Sequence, residues 1–431
     1  PVVAHRTSPT NIGLHILSIL SAYDMGYIGR KRMVFLLEKT LQTLSKLELN
    51  HGHFYNWYDT RTLSPLIPRY ISTVDSGNLA GHLIVLKQAA LRIKEMSTLS
   101  TRLEDGFKDT LTILIQKTIE VQKLSHLPKA GSFKEIILHL ENCHAMNWSD
   151  TLVKLKLVQT LLDQVLEDQS SDIFTWLKLS IEQVEFYQEE TDKEGEESDI
   201  PQRLEAIALI SEKLYMEMDF KFLFDSERKI FAIGFNATEG KRDNSFYDLL
   251  ASEARLTSFI AIAKGDVPDD HWFRLGRQLT SVVGSRALIS WSATMFEYLM
   301  PLLVMRRYEG TLLDQTYDSV VQRQIEYGDQ RQSPWGISEA GYHARDLNFN
   351  YQYGPFGIPG LGLKRGLRDE LVISPYSTML AAMVFPREAL ANLNVMEKMG
   401  VLGSYGFHES MDYTKERIHK SKKFVILKSY M

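Results

Sequence analysis

The sequence predicts an all-α protein of paired helices whose function lies in long loops at one end. Three observations lead there. Apolar residues recur at helical spacing along roughly fourteen segments. A single stretch, "FKFLFDSERKIFAIGF", alternates around a polar turn as a short β-hairpin does. No period of about 20–50 residues repeats, which argues against a solenoid. The 431 residues, 44% of them hydrophobic, are enough for one large or two medium cores.

The elements follow in order. "TNIGLHILSILSAYDMG" opens at Thr10 and Asn11, both capping residue types, and closes at Gly26. "KRMVFLLEKTLQTLSKLEL" places Met33, Leu37, Leu41, Leu44 and Leu47 on one face. Asp75 and Ser76 can cap a helix through Leu79, Leu83, Leu86 and Ala90. Further helices are predicted over 103–124, 132–146, 149–168, 171–190 and 201–218. Beyond the hairpin they resume over 247–263, 293–305, 314–328, 375–384 and 387–399. Like charges repel and stay wet, so the acidic stretch near 188–200 reads as a surface loop.

Composition removes several classes of function. The net charge is −5 and no basic block is present, which disfavours nucleic acid as a partner. A single cysteine, Cys143, rules out an internal disulfide framework and fits a reducing compartment. No apolar run reaches the roughly 18 residues of a membrane span, and no signal-peptide pattern opens the chain. Both ends read as cut from a larger protein.

Two irregular segments hold the polar aromatic residues. Residues 52–79, "GHFYNWYDTRTLSPLIPRYISTVDSGNL", carry Trp57, Tyr58, Asp59, Arg61 and Arg69 around Pro65 and Pro68. Prolines deny backbone donors and fix φ, so this is a loop, and long loops tend to be functional. The second lies within 334–367, where Gly354 to Gly366 hold five glycines and two prolines. Tyr342, Phe349, Tyr351, Tyr353 and Phe356 stud it. Aromatic faces with interleaved Asp, Arg and Asn suit a sugar, rings against its C–H faces and polar groups on its hydroxyls. The same rings could instead plug the end of a helical core.

Four carboxyls are candidates for chemistry. Glu253 falls in a predicted helix among Leu249, Leu250, Leu256 and Ile260, and apolar surroundings raise a carboxyl pKa toward general-acid use. The alternative is a buried ion pair with Arg255 or Arg274. Glu339 lies in irregular backbone near Trp335, while Glu297 and Glu409 sit beside aromatics. His51 with His53, or His139 with Cys143 and His144, fall short of a zinc ligand set, so no metal is expected. "GPFGIPGLGLKRG" lacks the Gly-Lys-Ser/Thr ending of a P-loop, and no nucleophile elbow is present.

Longer motifs carry a resemblance. "SPTNIGL", residues 52–83, "YDLLASEARLTSFIAIAKGDVPDDHWFRLGR", "ISWSATMFEYLMP", "LLDQT", residues 334–367 and "YGFHESMDYT" resemble the ring-closing middle domain of cyclic β-1,2-glucan synthases, a relative of endo-β-1,2-glucanases. The resemblance runs from about residue 8 to the end and is weak between roughly 95 and 200. It implies an (α/α)6 barrel in one catalytic domain, with no cofactor. It also implies covalently linked glycosyltransferase and phosphorylase-like domains in a cytoplasmic part of an inner-membrane-bound bacterial enzyme. By the resemblance, Glu253 matches the acid/base and Glu339 the nucleophile. Trp57, Tyr58, Asp59, Arg61, Arg69, Asp75, Ser76 and Asn78 would line the substrate site from the first loop. Tyr247, Trp272, Arg274, Trp291 and Glu297 would join from the middle motifs, and Trp335, Arg345, Tyr351, Tyr353, Phe356 and Glu409 from the rest.

The implied reaction takes linear β-1,2-glucan to cyclic β-1,2-glucan. A carboxylate forms a covalent glycosyl intermediate while a second carboxyl protonates the departing oxygen. Direct proton transfer calls for carboxyls about 5–5.5 Å apart; in the related glucanases the acid acts through a substrate hydroxyl, which permits a larger gap. A hydrolase with the same residues is the nearest alternative. A phosphorylase would need a phosphate cradle, which no Arg/Lys/Gly cluster clearly provides. A non-catalytic glucan-binding module would explain the aromatics but not a carboxyl set among apolar residues.

Overall fold

A computed structural model describes residues 4–96, 102–124, 130–143, 147–166, 171–191, 199–282, 284–347 and 351–429. Most of the acidic loop near 188–200, together with His144 and Phe349, lies outside them. The described residues form fourteen α-helices and many strands of two to six residues. They divide into two compact units: residues 1–10, 48–81 and 216–431, and residues 11–47 and 82–215.

The second of these is helical. It holds most of α1 (Pro9–Asp24), α2 (Arg30–Leu44), the larger part of α3 (Thr73–Glu95), α4 (Leu103–Leu124), α5 (Ala130–Glu141), α6 (Trp148–Val165), α7 (Asp172–Thr191) and α8 (Ile200–Glu217). The predicted apolar stripe of α2 is buried at Met33, Leu37, Leu41 and Leu44, with Leu47 just beyond it, and that of α3 at Leu79, Leu83, Leu86 and Ala90. Phe107, Phe133, Leu155, Leu177 and Tyr187 pack into one core from α4 to α7.

The other unit contains α9 (Arg255–Ala263), α10 (Asp270–Arg274), α11 (Met295–Leu299), α12 (Leu312–Arg331), α13 (Pro375–Ala381) and α14 (Pro386–Lys398). Its core gathers Leu250, Leu288, Met295, Tyr298, Val321, Ile337, Ile373 and Met411. Short antiparallel sheets connect these helices. The predicted hairpin is present, with Phe224–Asp225 against Ile230–Ala232, but Phe246–Tyr247 joins it as a third strand.

Three expectations therefore need correction. The hairpin is one of eight small sheets among the described residues; strands of two or three residues are too short to show a period of two. The helix predicted over 247–263 begins only at Arg255, since Tyr247 is held in a strand and residues 248–254 are turns and bridges. That helix does end at Gly265, whose φ of +75° stops it. The helix predicted over 293–305 is α11 followed by a 3-10 turn, Met300–Leu303, where Pro301 lacks an N–H.

Candidate active site

Glu253 stands in the turn two residues before α9, so the backbone and not a helix face aims its carboxyl. The amide Nδ2 of the buried Asn78 donates to its Oε2 at 3.4 Å. Neither arginine pairs with it. Arg255 is buried and donates to the carbonyls of Ser252 at 2.8 Å and Glu297 at 2.9 Å, and to that of Tyr298. Arg274 is exposed. Burial pushes the Glu253 carboxyl well above the ordinary value, and the charges of Glu339, Asp75 and Glu297 add to the push. A carboxyl so placed keeps its proton.

Glu339 is reached through a pinned segment. Gln324 on α12 brackets Ile337, accepting from its N–H and donating to its carbonyl, both at 2.8 Å. The Tyr376 hydroxyl on α13 donates to the Glu339 carbonyl at 2.8 Å. Gly336 precedes these residues with φ +121°, and a Cβ there would lie 2.6 Å from Thr378 Oγ1, so only glycine fits. The Glu339 side chain accepts from the Tyr353 hydroxyl at 3.2 Å. Burial, then the charge of Glu297, pushes its carboxyl up to about 7, and the Tyr353 bond holds it down.

The two carboxyls thus share a site with their protons held unequally. Both are held above the ordinary value, and Glu253 well above it. Two carboxyls driven apart in this way can serve as nucleophile and acid. They press in turn on neighbouring phenols. Burial and then the Glu253 charge raise the Tyr247 phenol; burial and then the Glu339 charge raise the Tyr376 phenol.

Glu297 and Glu409 are held differently. Glu297 closes a capping box on α11 and its Oε2 accepts from Ser290 Oγ at 2.8 Å and Ser292 N at 3.0 Å. Its oxygens shape the 290–294 loop. Glu409 Oε1 accepts from Gly341 N at 2.7 Å, beside the strand that leaves Glu339.

Residues 245–431 match the family described as "Glycoamylase: Putative glucoamylase". Over 448 positions, taking in 100% of this chain, the sequence is 40% identical to the cyclic β-(1,2)-glucan synthase NdvB of Rhizobium meliloti (strain 1021). The chain is thus similar to one part of a cyclic β-(1,2)-glucan synthase. It spans 16% of the length of that protein. Among solved structures, the endo-β-1,2-glucanase of Talaromyces funiculosus with sophorose shares the fold, at TM-score 0.59 and 12% identity, over 96% of this chain and 71% of the other. The endo-β-1,2-glucanase of Chitinophaga pinensis, solved with sophorotriose and glucose, does so at TM-score 0.57 and 12% identity, over 96% and 77%.

The relatedness leaves the remaining predicted residues to be placed by geometry. Asp75, Asn78, Tyr247, Glu297, Tyr353 and Glu409 all bear on the carboxyl pair or on its tyrosines. Ser76 is buried and its hydroxyl has no partner among the described residues. Trp57 is part-exposed with the Arg6 guanidinium 5.0 Å over its ring. Tyr58 is fully buried and donates to Glu48 O at 2.6 Å, so it plugs the core. Asp59 caps its own turn, accepting from Arg61 N at 2.8 Å and from the Arg61 side chain at 2.9 Å. Arg69 pairs with Glu48 at 2.7 Å.

Trp335 and Phe356 are buried, the latter edge-on to Tyr342 at 5.5 Å. Trp272 meets Phe259 edge-on, and Trp291 donates to Asp248 Oδ1 at 3.1 Å. Arg345 stacks 4.7 Å over Tyr351 and donates to its hydroxyl. Sequence reasoning missed Gln324 and Tyr376, and it saw Thr10 only as a cap; nothing local marks the first two. No group of three metal-ligating side chains is found among the described residues, and no described helix is long and apolar enough to cross a membrane.

Proposed function

We propose that the chain is an anomer-retaining transglycosylase that closes linear β-1,2-glucan into a cyclic product through a covalent intermediate on Glu339. The observation that carries this reading is the carboxyl pair, Glu339 poised to ionise and Glu253 poised to hold its proton. Relatedness to cyclic β-(1,2)-glucan synthase supports the substrate. An (α/α)6 barrel in a single catalytic domain belongs to the same reading, with the fold shared with endo-β-1,2-glucanases as its support. So do linked glycosyltransferase and phosphorylase-like domains on an inner-membrane-bound, cytoplasmic parent.

In the first step the Glu339 carboxylate attacks the anomeric carbon and Glu253 gives its proton to the departing glycosidic oxygen. The β-linkage becomes an α-linked ester. In the second, Glu253, now a carboxylate, takes the proton of the chain's own far-end 2-hydroxyl as that oxygen displaces Glu339. The ring is β-linked and Glu253 is protonated again. Tethering raises the effective concentration of the internal hydroxyl over that of water.

The test is incubation with linear β-1,2-glucan and product analysis by mass and early proton NMR. A ring lacks one water relative to a linear chain of equal length. Linear fragments alone would make the chain a glucanase, and fresh α anomer would make it inverting. Glu339→Gln should stop ring closure and chain-to-chain transfer together, since both draw on one intermediate. Binding with no turnover in the unaltered chain would leave a glucan-binding module.

A further inference from the structure

Glu253 is not held by an arginine, so the groups that do hold it matter. Asn78 Nδ2 lies 3.4 Å from Glu253 Oε2 and 3.1 Å from Thr10 Oγ1. Thr10 Oγ1 in turn donates to Asp75 Oδ1 at 2.6 Å. A carboxylate only accepts, so the Thr10 hydroxyl must spend its one proton on Asp75. That leaves Thr10 a lone pair, which only the NH2 side of the Asn78 amide can satisfy. The same NH2 then turns its second hydrogen to Glu253. Asn78 Oδ1 faces no donor among the described residues, so nothing else fixes which way the amide points. The direction of every bond in the chain follows from Thr10.

We propose that Thr10, at the first turn of α1, is a positioning residue that sets the Asn78 amide so that it donates to Glu253 and stabilises the carboxylate that the first step leaves behind. The proposal rests on Glu253 being the acid and base. Without the Thr10 hydroxyl, the Asn78 amide loses the partner that orients it and can present its oxygen to Glu253. That orientation favours the protonated carboxyl, and the acid is then slow to give its proton to the departing oxygen.

Other groups also face Glu253. Asp75, Glu297 and Glu339 disfavour its ionised form, and Tyr247, Tyr376 and Arg255 lie within its field. Of these, Asp75 loses its Thr10 donor in Thr10→Val, which raises its own carboxyl and weakens its charge beside Glu253; the others make no bond to Thr10. The Asn78 bond acts against burial there, so losing it moves the Glu253 proton to higher pH.

The test compares Thr10→Val, which keeps the shape and removes the hydroxyl, with Thr10→Ser, which restores it. Turnover and KM are read across pH on linear β-1,2-glucan, with Glu253→Gln as reference and melting temperature recorded for each. Thr10→Val should lose about tenfold in kcat with KM little changed, as expected for a lost hydrogen bond to a charged group. The basic limb of its pH profile should move to higher pH. Thr10→Ser should restore both. If Thr10→Val lowers only the melting temperature and leaves the profile in place, the hydroxyl is a helix cap and the proposal falls. If Glu253→Gln keeps its activity, it is the assignment of Glu253 that fails.

Discussion

A carboxyl that holds its proton more tightly in the folded chain than in the unfolded one destabilises the fold as pH rises. Glu339 moves from an ordinary value of 4.5 to about 7, through burial first and the Glu297 charge second. Between those values the folded state binds more protons, so stability falls across that window and the loss is complete above it. Glu339→Gln should therefore raise the melting temperature more at pH 8 than at pH 4.5. The difference should be on the order of 2 kcal/mol, since the carboxyl is only partly screened from solvent; equal gains at both pH values would contradict the placement. Activity runs the other way, because the nucleophile must be ionised, and should decay as pH drops below about 7. Glu253 and Glu339 were legible as residue types in suggestive company. A raised Glu253 carboxyl was expected from its apolar neighbours; the groups that face the pair were not legible, because Asn78, Asp75 and Tyr353 arrive from distant segments.

The strand Ala340–Arg345 continues directly from Glu339 and is tied along one side to Ser410–Asp412. Ser410 Oγ donates to Gly341 O at 2.6 Å, and His343 N donates to Asp412 Oδ2 at 3.0 Å. Asp412 has no exposure and is neutralised by Arg417, whose Nε donates at 2.7 Å and whose guanidinium lies 4.7 Å over the Tyr342 ring. Removing that arginine leaves a buried charge unpaired. Arg417→Met should cost about 3 kcal/mol in urea unfolding and reduce turnover through the strand. A loss near zero would mean that Asp412 does not depend on Arg417. At this scale the helices were the readable part: the stripes on α2 and α3 are buried where the period placed them. The sheets were not, because two-residue strands owe their pairing to the segment opposite.

Among the described residues, one core gathers about Leu155 and another about Ile337. None of the carboxyl-bearing segments contributes to the first. Leu155→Ala should destabilise by about 3 kcal/mol, as a fully buried leucine does, with the kcat of the folded fraction close to that of the unaltered chain. A matching loss of kcat would show that the helical core supports the chemistry directly.

By itself the sequence determined the helical class and most helix limits, because a 3.6-residue period and local capping are carried within each segment. It also marked the carboxyl and aromatic segments of the site. The tertiary structure decided which aromatic is core and which is free. Tyr58 is sealed inside while Trp57 beside it is part-exposed. It also decided that Glu253 precedes its helix, and that Asn78 meets it with Thr10 and Asp75 behind. Those outcomes rest on contacts between residues up to 175 positions apart, and no local pattern encodes a contact of that range.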